Sequence, residues 1–201
     1  MAHRFEWIST NFTSTNWLVG NSQMARFSGR QEDYEITYKR GGKIMEIMAE
    51  AEWLINTKKA THVLVDGIQN SVPDIVRGTL NLEAEVHQRL KALNKRALVV
   101  IAEVLYCPEH QKYLDTLHLI NRQVRRMNRE ASGLDSPQPW RALNSIHRDR
   151  SRKKKDQVTI FPDSFARDGY HINQTKILDY EAELAAFMAN MVASSGDGTC
   201  E

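Results

Sequence analysis

Short apolar runs of strand length alternate along this chain with longer stretches in which apolar residues recur every three or four positions. That alternation predicts a mostly parallel sheet covered by helices on both faces. The first strand is expected at residues 17–19, running into Gly20-Asn21-Ser22, near which a helix starts. The second, residues 34–38 (YEITY), leads through Lys39 and Arg40 into Gly41-Gly42, after which Ile44, Ile47, Met48, Ala51, Leu54 and Ile55 fall on one helical face. The third, residues 61–65 (THVLV), ends at Asp66-Gly67-Ile68-Gln69-Asn70, and the helix beyond it carries Leu82, Val86, Leu90 and Leu93. Residues 97–104 (ALVVIAEV) are the most apolar run, which predicts a central strand.

A helical pattern of Leu114, Leu117, Ile120, Val124 and Met127 follows and ends at Ser132-Gly133, before a long polar insert with Pro137 and Pro139. A last short strand at residues 157–161 (QVTIF) leads through Pro162 to Asp168-Gly169-Tyr170-His171. The closing helix, from about Gln174, is expected to turn Leu178, Leu184, Phe187, Met188 and Met191 inward, and residues 194–201 (SSGDGTCE) read as a disordered tail. The organisation is a single domain over residues 1–193, a three-layer α/β/α sandwich with a basic insert at about 132–156 and no internal repeat.

A chain of 201 residues, 41% of them hydrophobic, can bury one continuous core but hardly two. No apolar run approaches the roughly 20 residues of a membrane helix, and the N-terminus lacks the pattern of a secretory signal. Cys107 and Cys200, one just past an apolar strand and one in the tail, do not suggest a disulfide, so a cytoplasmic or other intracellular setting is expected. Cys107 and His110 offer half of a metal-site spacing that no second pair answers, and no metal or other cofactor is expected. The same two residues are weak candidates for a nucleophile pair.

The whole chain nets only +2, yet residues 122–155 carry eleven Lys and Arg against three acids. The densest part, with Arg148, Arg150, Arg152, Lys153, Lys154 and Lys155, reads either as a solvated loop or as a contact for nucleic acid or another anionic surface.

In open α/β sheets the loops beyond the carboxyl ends of the strands converge on one crevice, and reacting side chains collect there. Four segments qualify: Gly20 to Ser22, Gly41-Gly42, Gly67 to Asn70, and Asp168 to His171. A serine nucleophile needs a base, the base needs an acid to hold its ring, and the developing oxyanion needs fixed donors. These segments supply a candidate for each role, with Asp168 and His171 close enough in sequence to pair on one loop.

Over nearly the whole span from Trp17 to about Met191, the order of these segments resembles the SGNH hydrolases, also called GDSL-type esterases and lipases. Gly20-Asn21-Ser22 stands where that family has Gly-Asp-Ser, and Asp168-Gly169-Tyr170-His171 matches its Asp-x-x-His block before the final helix. The resemblance implies a flavodoxin-like α/β/α fold and a carboxylic ester hydrolase with Ser22 as nucleophile, His171 as base and Asp168 as its partner. It implies an oxyanion hole from the amides of Ser22 and of Gly41 or Gly42, together with the side chain of Gln69 or Asn70. The substrate class is a small acyl or acetyl ester.

Two positions depart from the family pattern. Asn21 replaces the usual aspartate, and Gln69 stands where the third block, Gly-x-Asn-Asp, has its asparagine. A module that kept the fold, lost the reaction and binds nucleic acid through its basic segment is therefore a rival reading. Similar esterase domains occur in polypeptides of mobile elements, where a basic arm would have a use. An acyltransferase would use the same residues as the hydrolase. Structural roles are open too: Asp168 to His171 could cap the last helix, Gln69 and Asn70 could cap the segment before Pro73, and Asp66 could simply form a turn. His3, His62, His87, His110, His118 and His147 show no paired spacing and read as surface or packing residues.

Overall fold

A computed structural model of the chain describes residues 7–9, 13–27, 33–148 and 156–196. Among these residues the main sheet has five strands, β1 (Trp7–Ser9), β2 (Asn16–Gly20), β3 (Glu35–Lys39), β4 (His62–Asp66) and β5 (Leu98–Ile101), in the order β1-β3-β2-β4-β5. The last four run parallel, and β1 pairs antiparallel with β3 at one edge. Parallel neighbours need crossover connections. Here they include α1 (Ile44–Trp53) between β3 and β4, and α2 (Val72–Val76) and α3 (Gln88–Leu93) between β4 and β5. After β5 come α4 (Leu114–Ser132) and, closing the chain, α5 (Ile177–Gly196). Helices α1 and α5 pack on β4, and α3 and α4 pack on β5, which makes the α/β/α sandwich.

Trp17, Leu18 and Val19, Val63 to Val65, and Val99 to Ile101 are all buried, as strands covered on both faces require. The predicted inward faces hold throughout α1 and the helix before β5. In α5 the inward row is Ile177, Tyr180, Leu184, Met188 and Met191, while Leu178 is 58% exposed. The helix starts at Ile177, three residues later than expected, and runs on to Gly196, so Ser194 and Ser195 are helical rather than part of a tail. Residues 197–201 lie outside the described ones.

Within the apolar run at 97–104 the strand covers Leu98–Ile101 and lies at an edge of the sheet, not at its centre. Two buried asparagines of α4 explain how so apolar a strand can sit there. Asn128 accepts from the Ile101 amide at 3.0 Å and donates to its carbonyl at 2.8 Å, and Asn121 treats Val104 the same way at 2.7 and 3.0 Å. Side-chain amides thus take the place of a further strand. The segment predicted as a last strand, β7 (Asp156–Ile160), pairs antiparallel with β6 (Asn144–Arg148) in a separate hairpin, so the main sheet has four parallel strands. Of the basic cluster, only the backbone of Arg148 is described; Arg150, Arg152, Lys153, Lys154 and Lys155 lie outside the described residues. Among the described residues no helix is long and apolar enough to cross a membrane.

Candidate active site

Gly20 ends β2 opposite Asp66 at the end of β4. A Cβ on Gly20 would sit 2.8 Å from the Asp66 carbonyl oxygen and closer still to Met24, so only glycine allows this approach. Asn21 then caps the 3-10 turn Ser22–Arg26 by accepting from the Gln23 amide at 3.0 Å. An aspartate could make that same bond. The cap puts Ser22 at the first position of the turn, just beyond the strand end.

The opposite wall is the loop before α5. Asp168 Oδ1 accepts from the amides of Tyr170 and His171, both at 2.9 Å, and Gly169 turns the chain with a φ of 66°. This folds the side chain of Asp168 back on its neighbour, so that Oδ2 lies 2.6 Å from His171 Nδ1. The other ring nitrogen, Nε2, lies 3.1 Å from Ser22 Oγ. Partial burial opposes ionisation of Asp168, but the hydrogen bonds from the imidazole and the two amides, helped by the charge of the ring, hold the carboxyl down at about 2. An ionised Asp168 accepts a hydrogen bond from Nδ1–H, which leaves the lone pair of Nε2 for the Ser22 hydroxyl. Capping the last helix falls instead to Asn173, whose side chain accepts from the amides of Thr175 and Lys176 at 3.1 and 2.9 Å.

The proposed oxyanion donors divide. The Gly42 amide donates to the Lys39 carbonyl at 3.1 Å, closing the turn in which Gly41 has a φ of 67°. It is therefore already committed. Asn70 Nδ2 donates one proton to the Gly42 carbonyl at 2.9 Å, and Asn70 Oδ1 accepts from the Tyr170 hydroxyl. The side chain of Asn70 thus sits between the Gly41-Gly42 turn and the loop that carries His171. Gln69 is turned the other way. Its Oε1 accepts from the Leu105 amide at 3.0 Å, and its Nε2 donates to Cys107 Sγ and His110 Nδ1, both at 3.1 Å. With both ends engaged and 3% of its surface exposed, Gln69 builds the interior and does not face the site.

The same contacts bear on Cys107 and His110. Burial pushes the Cys107 thiol up to about 11 against the hydrogen bonds it accepts, so it stays protonated near neutrality and is no thiolate nucleophile. Burial likewise lowers the pKa of His110. Asp66, read from the sequence as a turn residue, is 5% exposed and accepts from the Tyr180 hydroxyl at 2.6 Å. Burial pushes its carboxyl up to about 6, although the tyrosine bond works the other way.

Three contributors had no signal in the sequence: Gln23, Arg26 and Tyr170. Gln23 is buried and bonds both peptide groups that flank His171. Arg26 donates to the Ile172 carbonyl at 2.6 Å, and Tyr170 links to Asn70. All these contacts join segments at least 100 residues apart, where neither periodicity nor spacing reaches.

No family model matches the chain, and no curated protein matches it in sequence. Solved structures do match. A GDSL-like lipase from Bacteroides thetaiotaomicron superposes with a TM-score of 0.64 at 11% identity, covering 90% of this chain and 89% of its own. The acetylxylan esterase Axe2 from Geobacillus stearothermophilus gives 0.56 at 13% identity over 88% and 95% of the two chains. The psychrotrophic esterase EstA from a Pseudoalteromonas species gives 0.56 at 15% identity over 91% and 100%. At such low identities the likeness is one of architecture: this chain has the fold of the SGNH, or GDSL-type, hydrolases.

Proposed function

We propose that this protein is a serine ester hydrolase acting on small acyl or acetyl esters. The observation that carries the reading is the continuous relay from Asp168 Oδ2 to His171 Nδ1 at 2.6 Å and from His171 Nε2 to Ser22 Oγ at 3.1 Å. In the first half-reaction His171 takes the Ser22 proton as the oxygen attacks the ester carbonyl. Asp168 stays ionised and stabilises the imidazolium. The negative oxygen is held by the Ser22 amide, the second Nδ2 proton of Asn70 and the amide of Gly41; Gln69 and Gly42, otherwise engaged, drop out of this role. His171 then protonates the leaving alcohol, and water enters by the same route to release the acid and restore Ser22.

The likeness to a lipase and to acetylxylan and other esterases adds support for ester chemistry, and the name of Axe2 adds an acetyl ester to the substrates worth trying first. The test uses a short-chain aryl acetate and a fluorophosphonate probe. The wild type should turn over the ester and be labelled on Ser22. Ser22→Ala should lower kcat by at least about a thousandfold and abolish labelling, because the nucleophile is gone. A folded wild type that neither cleaves the ester nor takes the label would overturn the reading.

A further inference from the structure

Ser22 and His171 lie 149 residues apart, and the ring of His171 stands on a loop with no helix or regular strand of its own. Something must hold that loop against the serine turn. The side chain next to the serine does so. Gln23 Nε2 donates to the Tyr170 carbonyl at 3.0 Å, and Gln23 Oε1 accepts from the Ile172 amide at 3.1 Å. One amide group therefore grips the residues immediately before and after His171, from the position immediately after Ser22. Gln23 is 1% exposed, although an unpaired glutamine normally stays in water, and both its polar ends are satisfied by these two bonds.

We propose that Gln23 is a positioning residue of the ester-hydrolase site: it touches no reacting atom but sets the distance and angle between the imidazole of His171 and the hydroxyl of Ser22. The inference rests on the proposed hydrolase reading and goes one residue beyond it. The physical ground is that a misplacement of about 1 Å between a nucleophile and its base can cost on the order of a hundredfold in rate.

Gln23→Glu is the informative variant, because it keeps the shape and replaces the donor NH2 by a carboxyl oxygen. An ionised carboxylate still accepts from the Ile172 amide but faces the Tyr170 carbonyl with a lone pair instead of an N–H; once protonated it can donate again. With burial raising the pKa of the new carboxyl, that change falls within a workable pH range. The expected result at pH 8 is a fall in kcat on the order of a hundredfold with KM little changed. The ratio of wild-type to variant kcat should shrink as the pH is lowered.

The ring signals of His171, identified by their loss in His171→Asn, give a readout independent of turnover. In wild type they should show one tautomer with the proton on Nδ1, and in Gln23→Glu at pH 8 they should broaden or split. Gln23→Met fills the same space without either bond; it should lose activity without the pH-dependent recovery, and it serves if Gln23→Glu does not fold. A folded Gln23→Glu or Gln23→Met with wild-type kcat and wild-type ring signals overturns the proposal. If the wild type cleaves no ester, the hydrolase reading fails, and the ring signals alone decide whether Gln23 holds the imidazole.

Discussion

At the scale of single residues, the site depends on a few side chains whose polar atoms are nearly all engaged. Asp168 is half-exposed, so its hydrogen bond with His171 contributes little to stability; its proposed role is to orient the ring. Asp168→Asn should therefore leave the thermal midpoint nearly unchanged while lowering kcat on aryl acetate by about four orders of magnitude, because an amide can steady the wrong tautomer. Since the carboxyl of Asp168 is held at about 2, the acid limb of the wild-type rate profile should not contain its titration above about pH 3. Tyr170 presents a second, subtler dependence. Its ring packs edge-on against both His110 and His171, and its hydroxyl fixes the amide of Asn70. Tyr170→Phe keeps the ring contacts and frees Asn70 to rotate, so kcat should fall about tenfold, less than the hundredfold or more expected when an oxyanion donor is removed outright. Equal kcat in steady-state assays of Tyr170→Phe and wild type would remove Asn70 from the proposed oxyanion hole.

At the scale of elements, the weak point of such a sheet is its edge, and the chain covers β5 with side chains rather than with a strand. Asn128 bonds both backbone groups of Ile101 and the hydroxyl of Ser136 at 2.7 Å, all in the interior. Asn128→Ala leaves a buried N–H, a buried carbonyl and a cavity, which together should cost about 3 kcal/mol of unfolding free energy. Urea unfolding should record that loss as a lower midpoint, whereas a loss below about 1 kcal/mol would mean that water replaces the amide. Glu103 anchors the next segment: it is fully buried and receives Arg125, Gln138 and Trp140. The polar insert is therefore tied to the end of β5 before the separate hairpin begins.

At the scale of the whole molecule, Asp66 joins the central sheet to the last helix through Tyr180, and this joint is sensitive to pH. The unfolded carboxyl ionises near 3.8 and the folded one near 6, so between these values the folded chain holds the extra proton. Stability therefore falls as the pH rises through this window and levels off above it, by about 3 kcal/mol for a shift of roughly two pH units. Asp66→Asn can still accept from Tyr180 and carries no charge. Relative to wild type it should gain about 3 kcal/mol between pH 3 and pH 8 in denaturant titrations, and an unchanged difference would contradict this account.

Much of this architecture was legible in the chain itself. The alternation of apolar runs with helical faces follows from burial, which every residue reports locally. The Asp168 to His171 pair could be read because both residues share one four-residue turn with a glycine that must adopt a positive φ. Long-range partners could not be read. Periodicity says that residues 97–104 are buried but not by what, and the covering proved to be two asparagines of α4 at a sheet edge. A turn motif says that Gln69 and Asn70 leave a strand end but not which way each points. Whether Gln23 grips the loop of His171 depends on chain segments nearly 150 residues apart meeting at the ends of β2 and β4. The sequence by itself determined which stretches are buried and which local turns form, because those depend on near neighbours. Only tertiary packing decided which strand lies beside which, and hence how far Ser22 is from His171.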